Sequence, residues 1–457
     1  MPTKIFDLSG LMISVSGVRG KVGLGLGLEE FLLFSNAFAT LMAGRKVVIG
    51  RDTRPSGPYL EKILVAALLS RNCDVKLLGV VPTPTVKAAI RLSGAEGGVV
   101  LSASHNPMEW NAFKFIGEKG LFFSPIQNKK LMEILESQSF APIEVFPKGK
   151  ESFDEGLIEK HLQSVLERVD AQAIRKRKFK VLVDAVNGAG SYVVPLLLKQ
   201  LGCSVQAVHC KPDGTFPRIP EPTPKALEST SQLMLKSGCD IGFALDPDAD
   251  RLVLLSPTKG AISEEMTLPL CLMNALDSKR PGSTIVINLS TSSMNELVAS
   301  EFGAQVIRSK VGEANVVQEM IESKAVFGGE GNGGVIDPEL PSYGRDSLAG
   351  IAHILELMAH TGGVFDDLVE ALPERHMEKR AFPLSRPESL QDLLGRIKDR
   401  FPKATLSEKD GLWLSYQESW VHVRPSNTEP IFRVIAESPS ESDLFSIMEV
   451  LRECAES

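Results

Sequence analysis

Three stretches of the chain share one rhythm, and that repetition constrains the fold more than any other feature. They are KVVIGRDTRPSGPYLEKILVAALLSRNCDVKLLG (46–79), KVLVDAVNGAGSYVVPLLLKQLGCSVQAVH (180–209) and STIVINLSTSSMNELVASEFGAQVIRSK (283–310). Each opens on a β-branched strand, breaks into small polar residues, continues as an apolar-periodic helix and returns to a strand. That pattern is a βαβ unit, which the handedness of crossovers places in a mainly parallel sheet. Copies spaced more than a hundred residues apart predict three similar mixed α/β domains, not one repeat array. From about Arg380 the pattern changes to a helix, short strands and a closing helix, which predicts a smaller C-terminal α+β domain. The expected layout is four domains, at 1–150, 151–256, 257–372 and 373–457.

The whole-chain properties agree. A chain of 457 residues is too long for one core, and 43% hydrophobic with 23% charged residues is the balance of a soluble globular protein. The net charge of −7 argues against nucleic-acid and anionic-membrane partners, so positive charge for an anionic ligand must be local. The opening MPTKIFDLSG has no apolar signal core, and no run approaches a membrane-spanning length. Cysteines 73, 203, 210, 239, 271 and 454 form no CxxC pair, which fits reduced thiols in a cytoplasmic protein.

In open parallel sheets ligands collect beyond the carboxyl ends of strands. Four such junctions carry unusual chemistry. In GFALDPDADRLVLL, Asp246, Asp248 and Asp250 recur every second residue, a spacing that puts three carboxylates on one side of an extended chain. Their repulsion calls for a cation, and oxygen-only ligands favour a hard ion such as Mg²⁺. An EF-hand loop needs Gly and Glu where Arg251 and Pro257 stand, so that reading fails. In HVRPSNTEPIFRV, Arg424, Ser426, Asn427 and Thr428 crowd donors into five residues, with Arg433 on the next strand. That set suits a phosphate dianion, and equally a hairpin turn.

In FGGEGNGGVIDPELPSYGRDS, Glu330 and Asn332 stand among glycines that let a backbone approach a ligand. One carboxylate and one amide suit vicinal sugar hydroxyls. In LSASHNPMEWNAFKF, Ser104 ends a buried strand where a hydroxyl can be presented as a nucleophile, with Ser102 as the rival. His105 is its neighbour in sequence and so a candidate for orienting the loop, not for a triad. VNGAGSYV fails the dinucleotide fingerprint at Val193, and the glycines of SVSGVRGKVGLGLGLEE fail it too. Arg19 and Lys21 in that last segment are candidate phosphate contacts.

With these loops in view the chain resembles the α-D-phosphohexomutase family along essentially its full length: SGVRG, ASHNP, DPDADR, GEGNGG and RPSNTEP occur in family order. The resemblance implies that Ser104 carries a phosphoryl group, and that Asp246, Asp248 and Asp250 hold Mg²⁺ together with a phosphoserine oxygen. It implies that Glu330 and Asn332 grip sugar hydroxyls, and that Arg424, Ser426, Asn427 and Thr428 hold the phosphate that is not reacting. Arg19, His105, Lys114 and Arg251 match positions lining the family's active site. The implied reaction interconverts hexose 6- and 1-phosphates through a hexose 1,6-bisphosphate.

Gly334 departs from the family pattern, because many bacterial relatives carry there a His considered as general acid or base; Lys114 is the substitute expected here. Asn427 is common in glucose- and mannose-type enzymes, whereas GGEGNGGVI…YGRD looks like archaeal-type and phosphoglucosamine mutases. Glucosamine phosphate is therefore placed ahead of glucose and mannose phosphates. A metal-dependent sugar-phosphate phosphatase and an inactive sugar-phosphate binder are the readings from other classes. The sequence carries no reading of oligomeric state.

Overall fold

The strand Lys46–Arg51 pairs in parallel with Asp74–Val80 on one side and Gly97–Leu101 on the other, and the helix Gly57–Leu69 makes the crossover to the first of these. The computed structural model that shows this describes residues 8, 10–14, 17–276, 281–362, 364–383, 388–425 and 431–456. The chain forms two compact units, Met1–Thr267 with Asn332–Val369, and Leu268–Gly331 with Glu370–Ser457.

The first unit contains two sheets. Seven strands run in the order Met12–Ser14, Gly17–Lys21, Trp110–Gly117, Gly97–Leu101, Lys46–Arg51, Asp74–Val80, Glu151–Phe153. Trp110–Gly117 runs antiparallel to Gly97–Leu101 and sets Lys114 opposite Val100. Its alternation explains the aromatic-rich segment. Phe113 and Phe115 turn to the helix Leu28–Leu41, where Phe31 stacks on Phe113 at 4.1 Å and Phe38 on Phe115 at 5.2 Å. Lys114, of opposite parity, takes the other face. Each buried Phe contributes about 1.5–3 kcal/mol, so the cluster fixes the strand that delivers this lysine.

The second sheet of the unit has the order Gly260–Ala261, Leu252–Ser256, Ile241–Leu245, Lys180–Asp184, Ser204–Val208. The last three of these strands are parallel, as the second βαβ unit predicts. Ile241–Leu245 and Leu252–Ser256 are wholly buried and antiparallel to each other, and the six residues between them hold the three aspartates.

In the second unit Gln305–Ser309, Thr284–Asn288 and Phe327–Glu330 form the third parallel set. A five-stranded, fully antiparallel sheet follows in the order His376–Pro383, Ile431–Ser438, Ser419–Pro425, Leu412–Tyr416, Thr405–Ser407. Arg308 joins the two sheets. Its guanidinium centre lies 5.5 Å from the Trp413 ring and 5.4 Å from the Trp420 ring, and it bonds both carboxylate oxygens of Glu296 at 2.9 and 2.8 Å. All six cysteines are free thiols, and among the described residues no helix is long and apolar enough to cross a membrane.

Candidate active site

Ser104 follows the buried strand Gly97–Leu101 and adopts a left-handed conformation, φ +49°, uncommon for a residue with a side chain. The reversal aims its hydroxyl across to the second sheet of the same unit, where Oγ donates to Asp246 Oδ2 at 2.7 Å. Ser102 is otherwise engaged: its Oγ donates to Asp52 Oδ2 at 2.6 Å and accepts the Ser104 N–H at 3.0 Å. That separates the two hydroxyls, one facing the carboxylates and one bracing the loop.

The aspartate loop is not the extended segment that the alternate spacing suggests. It turns, with Ala249 at φ +52°, and Asp246 Oδ1 accepts the N–H groups of Asp250 and Arg251 at 3.1 and 3.2 Å. The turn, not strand alternation, gathers the three carboxylates, so that one oxygen of each lies within 4.8 Å of the others. Asp248 Oδ2 accepts from Thr83 Oγ1 and Lys114 Nζ, and Asp250 Oδ2 accepts from Arg345 Nη2 at 2.7 Å. The other oxygen of each, Oδ1, is buried with no protein partner. Two orphaned carboxylate oxygens beside a third carboxylate are a donor set for a hard divalent cation, and Mg²⁺ fits it.

Electrostatics divides the labour. Burial, then Asp250 and Asp248, push the Asp246 carboxyl well above the ordinary range. Burial acts on Asp248 in the same sense, but the Lys114 cation and its hydrogen bond outweigh it and hold that carboxyl low. For Lys114, burial pulls the ammonium down and Asp248 and Asp250 more than offset it, so it keeps its proton at neutral pH. Lys114 thus stands as a buried cation against Asp248 and Asp250. His105 is held well below its usual value by Arg251, by burial and by Arg19, which leaves a neutral imidazole.

The two arginines have partners of their own: Arg19 Nη1 donates to Asn106 Oδ1 at 2.9 Å, and Arg251 Nη1 meets Glu221 Oε1 at 2.7 Å. Lys21 turns instead to Glu109, at 3.8 Å. Asn332 is in the same unit, with Oδ1 buried and unpartnered. Ser104, His105, Arg19, Lys114, Arg251 and the three aspartates are therefore brought together. Glu330, Arg424 and Arg433 belong to the second unit. There Glu330 is buried and accepts from Asn288 Nδ2 at 2.8 Å and Gly312 N–H at 3.0 Å. Arg424 is cross-strand partner to Arg433, whose side chain is exposed. Ser426, Asn427 and Thr428 lie outside the described residues.

The glycine-rich NGAG has a structural duty. A Cβ on Gly188 would stand 2.5 Å from the Pro247 carbonyl oxygen, which accepts the Ala189 N–H at 2.7 Å. The helix Gly190–Gln200 begins there, so the segment buttresses the aspartate loop. Three contributors were missed in the sequence: Arg345, Thr83 and the Asp52–Arg54 pair. The signal was present in GRDTRPSG and YGRDS, where acid and base adjoin at the ends of apolar segments.

Four domain families match in sequence: phosphoglucomutase/phosphomannomutase α/β/α domain I at residues 11–142, domain II at 159–259, domain III at 264–376 and the C-terminal domain at 381–453. The site and sheets thus define an α-D-phosphohexomutase, an isomerase class. The chain belongs to the phosphoglucomutase/phosphomannomutase family. It is 35% identical over 455 residues to a phosphoglucomutase/phosphomannomutase of Thermococcus kodakarensis, covering 96% of this chain and 97% of that protein. To a probable phosphoglucosamine mutase of Methanopyrus kandleri it is 30% identical, covering 98% and 99%. Among solved structures, a phosphoglucomutase/phosphomannomutase family protein from Burkholderia thailandensis superposes with a TM-score of 0.84 at 26% identity, covering 97% of each chain.

Proposed function

We propose that this phosphohexomutase interconverts hexose 6- and 1-phosphates through a phosphoserine at Ser104 and a hexose 1,6-bisphosphate, with glucosamine phosphate as the preferred substrate. The observation that carries the reading is the Ser104 hydroxyl at 2.7 Å from one of three convergent buried aspartates. The name of the Methanopyrus relative supports the glucosamine preference. Asp246, Asp248 and Asp250, with an oxygen of phosphoserine, would hold Mg²⁺, which supplies charge neutralisation for the transferring phosphoryl group.

Arg19, Arg251 and Lys114 set positive charge beside Ser104, and neutral His105 offers a hydrogen bond without adding charge. Ser104 passes its phosphoryl group to the free hydroxyl of the hexose phosphate, and the bisphosphate returns its other group after turning end over end. Glu330 and Asn332 are assigned to the sugar hydroxyls; Arg424, Ser426, Asn427, Thr428 and Arg433 to the distal phosphate. Phosphorus NMR on purified enzyme with Mg²⁺ and a trace of hexose 1,6-bisphosphate tests this. Glucosamine, glucose and mannose 6-phosphates would be offered separately. A growing 1-phosphate signal, fastest with glucosamine, is expected; release of inorganic phosphate alone would make the site a phosphatase. Ser104→Ala should abolish turnover and leave sugar-phosphate binding largely intact.

A further inference from the structure

Among the described residues Arg54 is the largest fully buried side chain, at 0% exposure. A guanidinium has five N–H donors in a fixed plane, and here every one has a partner. Nε donates to Asp52 Oδ2 at 2.9 Å. Nη1 donates to the carbonyls of Pro107 and, at 3.0 Å, Trp110. Nη2 donates to the carbonyls of Ser104 and Asn106, both at 2.7 Å. Four carbonyls of one seven-residue loop therefore converge on one cation, and the Phe216 ring covers it with its centroid 5.1 Å away.

The same aspartate reaches the loop from its other end. Asp52 Oδ1 accepts the Arg54 N–H at 2.9 Å, and Oδ2 accepts the Ser102 hydroxyl, which in turn accepts the Ser104 N–H. The C=O of Ser104 is thus held by Arg54 directly, and its N–H by Asp52 through the Ser102 hydroxyl. Ser104 is the residue with the left-handed backbone, and a conformation of that kind persists only where its surroundings over-determine it. Charge-assisted bonds to buried carbonyls are the strong kind.

We propose that Arg54 is a positioning residue for phosphoryl transfer: with Asp52 and Ser102 it holds Ser104 in the one backbone conformation that aims Oγ at the aspartates. This role rests on the phosphoserine reading above. It deepens that reading by locating the device that sets the nucleophile's direction. A misplacement of about 1 Å can slow a reaction about 100-fold, and four carbonyls released from their donor leave the loop free to shift by that much.

The test separates direction from folding by reading a rate constant. Full-length wild type, Arg54→Lys, Arg54→Ala and Ser102→Ala would be phosphorylated with glucosamine 1,6-bisphosphate, and separately glucose 1,6-bisphosphate, in Mg²⁺ and their phosphoserine content read by intact mass. Each would then be mixed with excess of the matching hexose 1-phosphate, and loss of the phosphoryl group followed by rapid quench. Misfolding lowers the fraction that reacts and leaves the rate constant of the reacting fraction alone. A positioning role lowers the rate constant, by about 100-fold for Arg54→Lys and Arg54→Ala and by less for Ser102→Ala. Lysine carries the charge but lacks the planar fork, so it is expected not to rescue.

Should Arg54→Ala fail to accumulate, Arg54→Lys and Ser102→Ala carry the test. Rate constants within two-fold of wild type in every phosphorylated variant overturn the role. A wild type that never acquires a phosphoryl group on Ser104 overturns the phosphoserine reading, and this role with it.

Discussion

The side chain of Arg345 runs across the face of Gly334, so that a Cβ at position 334 would stand 2.3 Å from Arg345 Cδ. The guanidinium beyond that crossing reaches Asp250 Oδ2 at 2.7 Å. The position at which relatives were expected to carry histidine is thus covered by an arginine arriving from eleven residues further on. Its backbone is well anchored: Asp346 N–H donates to the Val335 carbonyl, and Asp346 Oδ2 accepts from Ser342 and from buried His161. Gly334→Ala should push Arg345 off Asp250. The expected cost is about 1–3 kcal/mol of stability, with a fall in turnover. In an Arg345→Ala background the same change should cost little, because the crossing side chain is gone. A double-mutant cycle in urea checks this, and additive single effects would refute the crossing.

Lys114→Met is expected to be more damaging without divalent cations than with them. It removes the buried partner of Asp248, a loss of about 3–5 kcal/mol when the remaining charge stays uncompensated. A cation on the free Asp248 and Asp250 oxygens offsets part of that charge. Urea unfolding in EDTA and in Mg²⁺ measures the difference. Equal destabilisation in both media would argue that no ion reaches the aspartates.

Asp184 predicts a pH dependence. Burial raises its carboxyl, but His209, Arg218 and Thr230 more than reverse this and hold it below the ordinary value of 3.8. Arg218 Nε and Thr230 Oγ1 bond it at 3.0 and 2.5 Å, whereas His209 Nδ1, at 3.2 Å, is off the line of a hydrogen bond. A depressed folded-state value means stability that is fully present above the unfolded value and is lost as pH falls below it. The stability gap between wild type and Asp184→Asn should be full near neutrality and shrink below about pH 4. Urea midpoints across that range test it; a gap that widens in acid would be the wrong sign.

Arg308→Ala should destabilise the second unit by about 3 kcal/mol or more, since it removes two ring contacts and charge-assisted bonds to Glu296 and the Thr291 carbonyl. Arg308→Lys should recover only a minor part, because an ammonium cannot stack between rings or fork to a carboxylate. Tryptophan fluorescence during unfolding reads this directly, as Trp413 and Trp420 are the affected rings. An unchanged midpoint in the alanine variant would show the sandwich to be incidental.

The parallel βαβ units were legible because their information is local: an apolar run, a break of small polar residues and a 3.6-residue period lie within thirty or so residues of each other. The three aspartates were legible as carboxylates set between two recognisable strands, and Ser104 as a hydroxyl just beyond the end of another. The geometry joining them was not. Alternate spacing suggested an extended acidic edge, and the turn at Ala249 gathers the carboxylates instead. Partners distant in sequence were invisible. Arg54 reads as one polar residue in a turn until the chain fifty residues later folds back over it, and Arg345 reads as a loop charge until it meets Asp250, ninety-five residues away. Lys114 was expected to stand in for an absent histidine; its contact with Asp248 and Asp250 depends on burial and pairing that no spacing reveals.

One arrangement recurs in all three parallel sets. Asp52, just past Lys46–Arg51, takes the Ser102 hydroxyl beyond the neighbouring strand; Asp184, ending Lys180–Asp184, fixes Arg218 against the Leu245 carbonyl; Asn288, ending Thr284–Asn288, bonds Glu330. Each time a buried polar group at one strand end is tied, directly or through one further side chain, to the end of the strand beside it. A scaffold built this way can exchange a hydroxyl for carboxylates, or for a single acid, without altering any strand pairing, because the brace travels with the sheet. The corollary is a rule for transplantation. A loop moved from one copy to another without its neighbouring strand end arrives with a buried group that has lost its counterpart, and it would be expected to fold poorly before it ever failed to react.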